Sequence, residues 1–304
     1  MKAGAVPRQE RVSAVNEFLS ALVSIMFHGL AYAMILYVVS VGLSVTMGLM
    51  GFANLAHGVF AMAGGYVAIS LMSRLGLSFG PAVVLAVLVV AAASVVLERL
   101  LYARLYGAGE IEQVLFTIGL IFMSIAAAKF MFGSSQQELV LPAALRGEVS
   151  ILGRMFPTYR AFIIVTGAII ALGLWLGLER SQFGARVRAA VDNRRMARSV
   201  GIDTDRLFSL TFALGSGLAA LGGALGGELL TIHPAYAIEH LVYFLTVVAV
   251  GGLGSIRGPF LAAVLLGVGD TACKYLLPDI GAFFIYFALF GLLLWRPAGL
   301  FGRA

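Results

Sequence analysis

Nine apolar runs divide this chain, at about residues 19–50, 58–73, 80–101, 113–132, 161–178, 207–227, 241–253, 259–277 and 281–295. A helix needs ~20 residues at 1.5 Å each to cross ~30 Å of hydrocarbon. Several runs have that length, and the first is long enough for one tilted helix plus a further short or bent segment. Hydrophobic residues make up 61% of the 304 and charged residues 12%. A water-soluble fold has no way to hide that much apolar surface, so lipid must solvate part of it. The expected fold is all-α, a polytopic transmembrane helical bundle of about 8–10 crossings, with broken helices in two related halves.

The broken helices are read from two glycine clusters, "GLMGFANLAHG" (48–58) and "VGGLGSIRGP" (250–259). Each interrupts an apolar stretch and is followed by another. Breaks in corresponding places tend to line a solute path in transporters, because irregular backbone at membrane depth must face protein or water. Ordinary turns and close-packing glycines are the competing reading. The candidate positions are Asn54, His57 and Gly58 at the first break, and Gly251, Gly252, Gly254, Ser255 and Gly258 at the second. Asn54 and His57 either contact solute or tie the broken helix through hydrogen bonds to freed backbone groups.

The segment 179–206, "ERSQFGARVRAAVDNRRMARSVGIDTDR", carries seven of the chain's 21 basic residues. The positive-inside rule places it in the cytoplasm. No Gly or Pro falls between Ala185 and Val200, and Val187, Ala190, Val191, Ala197 and Val200 recur at near-helical spacing. This pattern predicts one short amphipathic helix with a cationic back, suited to docking. Arg296 and Arg303 put the C-terminal tail, 296–304, in the cytoplasm as well. Residues 1–18, with Lys2, Arg8 and Arg11, read as a cytoplasmic N-terminal tail, which leaves 19–295 as the membrane domain.

No catalytic constellation stands out. There is no G-x-x-x-x-G-K-[ST], no G-x-S-x-G elbow and no H-E-x-x-H helix. The four histidines make no zinc spacing and Cys273 is the only cysteine, so no metal, cofactor or disulfide is expected. The net charge of +6 comes without a basic stripe interleaved with aromatics, which argues against nucleic acid. Asp270 and Lys274, at i and i+4, are placed to pair on one helix face. On residues alone, an ion-coupled secondary transporter using Asp270 or Glu228 and a passive channel both stay open.

"GFANLAHGVFAMAGGYVA" (51–68) resembles the signature segment of branched-chain amino acid ABC transporter permeases. "VVAVGGLGSIRGPFLAAVLLG" (247–267) is similar to that family's second signature, "GARVRAAVDNRRMARSVGID" (184–203) to its cytoplasmic coupling loop, and "LLLWRPAGLFGR" (292–303) to its terminal run. The four matches lie in order over most of the chain. The family's usual Phe after the Asn and acid after the Gly are Leu55 and Val59 here. The resemblance implies a multi-pass permease subunit in a bacterial inner membrane, for branched-chain amino acids or a related small polar solute such as urea or an amide. It implies a second permease, two cytoplasmic ATPases that bind ATP, and an extracytoplasmic solute-binding protein as partners. It assigns Gly184, Arg186, Arg188, Ala189, Val191, Asp192, Ala197 and Gly201 to the ATPase-coupling loop.

Overall fold

The computed structural model describes residues 8–52, 54–151, 153–296 and 299–300, with side chains described from Asn16 onward except at Leu49, Val191, Asp192 and Arg194. Seven helices among these residues are long and apolar enough to cross a membrane. They lie in α1 (Arg8–Met50), α2 (His57–Leu75), α3 (Phe79–Leu100), α4 (Glu110–Phe132), α5 (Thr158–Leu174, prolonged by a π-helical turn Trp175–Glu179), α8 (Thr204–Gly226) and α11 (Arg257–Leu276). Between α5 and α8 lie α6 (Gln182–Asp192) and α7 (Arg194–Ser199). Shorter helices complete the bundle: α9 (Tyr236–Glu239), α10 (Leu241–Gly251), α12 (Pro278–Gly281) and α13 (Phe284–Trp295). The only strands among the described residues are β1 (Glu148–Ile151) and β2 (Arg154–Pro157), an antiparallel hairpin.

The apolar run 19–50 contains no bent second segment. It is one continuous helix, whose candidate span Asn16–Gly48 covers 33 residues, about 50 Å at 1.5 Å per residue. No Pro interrupts it, and it stops where Gly51 takes φ 61° and its N–H bonds the Met47 carbonyl at 3.1 Å. A left-handed glycine is the common way to end a helix.

Helix α8 is the centre of the bundle. Its most apolar window is 72% buried, whereas that of α4 is 17% buried and faces outward. Small residues bring the backbones together, as expected where lipid removes the hydrophobic drive for helix association. A Cβ on Gly64 would lie 2.2 Å from the Ala220 carbonyl oxygen, and one on Gly222 2.4 Å from Val39 Cγ2. Helix α11 meets α1 in the same way, with Gly267 against Ala33.

The two ends of the bundle are distinct. Arg154 of the hairpin donates to the Ser20 carbonyl at 2.5 Å and to Ser24 Oγ at 2.6 Å, near the start of α1. At the other end, Met50 packs on the cluster of Val187, Ala190, Ala197, Leu207 and Phe208. The beginning of α1 and the arginine-rich segment therefore lie at opposite ends of the bundle. Residues 8–18 also belong to α1 itself, and residues 1–7 lie outside the described residues.

Candidate transport site and coupling face

The first break runs from Gly51 to Ala56, and Ala53 lies outside the described residues. Phe52 anchors it in an aromatic cluster, 5.2 Å from the Tyr102 ring and 6.0 Å from that of Tyr106. The buried Tyr102 hydroxyl donates to Asn54 Oδ1 at 3.2 Å. Burial pushes this phenol above its ordinary range, so it keeps its donor proton. His57 opens α2, and its Nε2 lies 3.1 Å from the Val39 carbonyl in the last third of α1. A carbonyl only accepts, so Nε2 carries the proton. Gly42 makes room for the imidazole: a Cβ there would sit 3.1 Å from Nε2 and 2.4 Å from the Gly215 carbonyl.

Asn54 and His57 are both about 1% exposed. Each uses one polar atom on protein and leaves one, Asn54 Nδ2 and His57 Nδ1, without a protein partner. Gly58 packs on Ala237 of α9, 3.0 Å from its carbonyl oxygen to an added Cβ. The first break is thus tied to α1, to the Tyr102 turn and to α9. Replacing Tyr102 by Phe strands the Asn54 carbonyl, and a buried acceptor left unmade costs about 1–3 kcal/mol. A lowered unfolding temperature of the purified Tyr102→Phe variant, with its helix content intact, is the expected result.

The second break lies between α10 and α11. Gly252 and Gly254 have φ of 90° and 75°, which side chains rarely adopt. Ser255 Oγ accepts from the Gly258 N–H at 3.0 Å, capping the start of α11, and the Ser255 carbonyl accepts from Ser44 Oγ at 3.0 Å. Gly251 and Gly258 touch backbone to backbone, with an added Cβ on Gly258 only 1.8 Å from the Gly251 carbonyl oxygen. Leu300 closes over this turn: its N–H donates to the Val250 carbonyl at 2.7 Å. An added Cβ on Gly48 would lie 2.1 Å from the Gly254 nitrogen, so the end of α1, just before the first break, packs directly on the second.

The arginine-rich segment differs from a single amphipathic helix. It splits at Asn193, whose backbone is extended and whose Oδ1 accepts from the Met196 N–H at 2.9 Å. An Asn side chain that satisfies a free N–H of a new helix start competes with continuation of the old one. Val187, Ala190 and Ala197 face the protein as the spacing predicts, but Val200 is 70% exposed. Val191 and Asp192 lie on α6, their side chains outside the described residues. Gly201, with φ 85°, follows α7. Ser181 caps α6 at the Gly184 N–H, 3.2 Å away. Gly184 presses against the π-helical turn, where an added Cβ would sit 1.7 Å from the Leu178 carbonyl oxygen. Arg188 donates to that same carbonyl at 2.7 Å, so it serves the fold, while Arg186 and Ala189 face outward.

The spacing missed the link from α6 to the second break. Glu179, ending the π-helical turn, pairs with Arg257 at 2.5 Å. The two are 78 residues apart, and no local pattern joins them. Asp270 and Lys274 do pair, at 2.6 Å. Glu98 is buried and accepts from Tyr106 Oη at 2.5 Å and Ser209 Oγ at 2.7 Å.

A family model and the curated relatives of highest identity point to one family. A family model described as "Branched-chain amino acid transport system / permease component" matches residues 25–293. The chain is 30% identical over 305 residues to the high-affinity branched-chain amino acid transport system permease protein BraD of Pseudomonas aeruginosa, covering 95% of this chain and 97% of that one. It is 26% identical over 294 residues to the permease protein LivH of Escherichia coli, covering 91% and 94%. Among solved structures, PsaBC from Streptococcus pneumoniae in complex with Fab matches with a TM-score of 0.51 at 15% identity, over 92% of this chain and 94% of that one; that likeness concerns the fold alone. The chain is a multi-pass transport subunit that belongs to the branched-chain amino acid transport system permease family.

Proposed function

We propose that this chain is the membrane-spanning permease subunit of an ATP-driven importer for branched-chain amino acids. It works beside a second permease, two cytoplasmic ATPases and an extracytoplasmic binding protein. The observation that carries the reading is the seat of α6. It lies at one end of the bundle, wedged by Gly184 against the π-helical turn that pairs with the second break through Glu179 and Arg257. An ATPase that grips the outer face of α6 has a short mechanical route to a discontinuous helix. It drives transport by binding the permease's inward- and outward-open states unequally. The names of the relatives support the solute class.

In this reading the arginine-rich end and the C-terminal tail face the cytoplasm, and the start of α1 faces the opposite side. Seven arginines at one end outweigh the three basic residues before Asn16. Asn54 and His57 act as braces of the first break, since each is buried and bonded to protein. The paired state of Asp270 and the exposure of Glu228 give a proton-driven route little support.

The test uses the outward residues of α6. In the double variant Arg186→Glu, Ala189→Glu, ATP-dependent leucine uptake falls about tenfold, the effect of ~1.4 kcal/mol lost from docking. The chain still inserts and purifies, because neither side chain is part of the packed interior. Unchanged uptake would show that α6 does not couple to an ATPase.

A further inference from the structure

An open groove of about 420 Å³ runs between the end of α5 and the start of α11, walled by Leu172, Trp175, Arg257, Phe260 and Leu261 among others. Leu172 and Leu261 are each about half exposed, so the groove faces what surrounds these two spans and not the interior. Nearly all of its wall is aliphatic or aromatic. Within a bilayer such a surface is solvated by acyl chains, which are as apolar as leucine.

The charged groups gather at one end of it. Along α5 and its π-helical turn, Leu172 and Trp175 are followed by Glu179 and Arg180. Along α11, Arg257 comes first, then Phe260 and Leu261. Arg257 and Leu261 are about 6 Å apart along the helix axis, at 1.5 Å per residue. The groove therefore passes from an apolar stretch to a basic rim at the α6 end. Trp175 marks that rim, with the Arg180 guanidinium 4.5 Å from its ring centroid and that of Arg257 5.6 Å away. Glu179 stands behind the groove, where it takes one nitrogen of Arg257. Arg188 reaches the Leu178 and Glu179 carbonyls from the same side. Three guanidinium groups thus surround one carboxylate, which leaves a surplus of positive charge. Arg257 keeps most of its five N–H donors free, and its side chain is 63% exposed. Arg180 is exposed and has no hydrogen-bond or ion-pair partner among the described residues.

We infer that the groove holds an acyl chain of an anionic phospholipid, from the leaflet on the α6 side, with its headgroup phosphate at the Arg180–Arg257 rim. The acyl chain lies along Leu172, Phe260 and Leu261. The phosphate accepts from the free N–H groups of Arg257, and Arg180 supplies a second positive charge beside it. Trp175 sits at headgroup level, where an amphipathic ring is at home. Basic pockets between transmembrane helices recognise anionic headgroups by this arrangement. A helix of a second protein chain is a poorer occupant. It would take Arg180 and Arg257 out of water with only Glu179 to compensate them, and desolvation costs several kcal/mol per ion. A phosphodiester brings the counter-charge and leaves both arginines wet. The bound lipid ties the end of α5 to the start of α11, and so steadies the second break. The site is independent of the solute carried and of what drives transport.

The experiment is photolabelling of the full chain, with the subunits that co-purify, in phosphatidylcholine nanodiscs. The probe is phosphatidylglycerol with a diazirine in one acyl chain, and the reference is phosphatidylcholine with the same chain. Peptide mapping is expected to find the phosphatidylglycerol label between Ala171 and Leu176 and at Phe260 and Leu261, several-fold above the reference. Excess unlabelled phosphatidylglycerol removes it. Arg180→Gln lowers it about fivefold, the effect of one cation near the membrane surface. The reference label stays unchanged in that variant, which shows that the groove itself is intact. Equal labelling by the two lipids in the unaltered chain overturns the site and makes the groove ordinary lipid contact. Selective label that survives Arg180→Gln overturns the headgroup assignment. Absence of both labels, with cross-links from these peptides to another subunit, also overturns the inference and makes the groove a protein interface.

Discussion

Gly258→Ala abolishes uptake and lowers the stability of the purified chain. The new methyl would lie 1.8 Å from the Gly251 carbonyl oxygen, and that oxygen belongs to backbone held on every side. Gly251 itself abuts Pro259, with 2.4 Å from an added Cβ to the ring nitrogen, and Gly254 rests on Gly48. The turn has no flexible side chain to give way. Overpacking in a well-packed region costs about 1–3 kcal/mol and occasionally more. Functional loss is expected to exceed that figure, because relief of the clash moves the start of α11 and with it Arg257 and the Ser44–Ser255 bond. The measurement is leucine uptake in reconstituted vesicles beside thermal unfolding. Full uptake in Gly258→Ala would mean that the second break has room to open without harm.

The second large effect is expected at Gly223, where an added Cβ would meet the Ala61 carbonyl oxygen at 1.8 Å. This is the crossing of α2 and α8, and Gly64 against Ala220 forms the same seam one turn away. Separating these helices also strips contacts from α8, the most buried span. Gly223→Ala is expected to cost about 3 kcal/mol or more, at the upper end for overpacking. Gly119 in α4 is the control, since nothing lies within 4 Å of its added Cβ. Gly119→Ala is neutral or stabilising by about 0.5–1 kcal/mol, because alanine restricts the unfolded chain and favours helix. A difference in unfolding temperature between the two variants tests the close crossing without any assumption about transport.

The helices were legible because hydropathy is a local property. The runs at 80–101 and 207–227 became Phe79–Leu100 and Thr204–Gly226. The breaks were legible for a related reason: glycine clusters mark where backbone leaves the helix. What was not legible depends on partners distant in sequence. Tyr102 reaches Asn54 across 48 positions and Arg257 reaches Glu179 across 78. Neither partner carries a pattern of its own. The split at Asn193 had a local signal, an Asn three residues before Met196 in the capping position, which apolar spacing alone overlooked. The placement of the start of α1 away from the arginine-rich segment was not legible from charge, because it depends on α1 being unbroken. One continuous helix of 43 residues sets its two ends at opposite ends of the bundle, whatever their charge.

The central claim is that ATP, hydrolysed on partner subunits, drives amino acid import through this chain. The direct measurement is uptake of labelled L-leucine into vesicles that hold the co-purified complex and its binding protein, with ATP supplied on the ATPase side. Uptake that requires ATP and persists when an uncoupler collapses the proton gradient is the predicted result. Uptake by this chain alone, without ATP and abolished by the uncoupler, would contradict the account and make the protein an ion-coupled carrier.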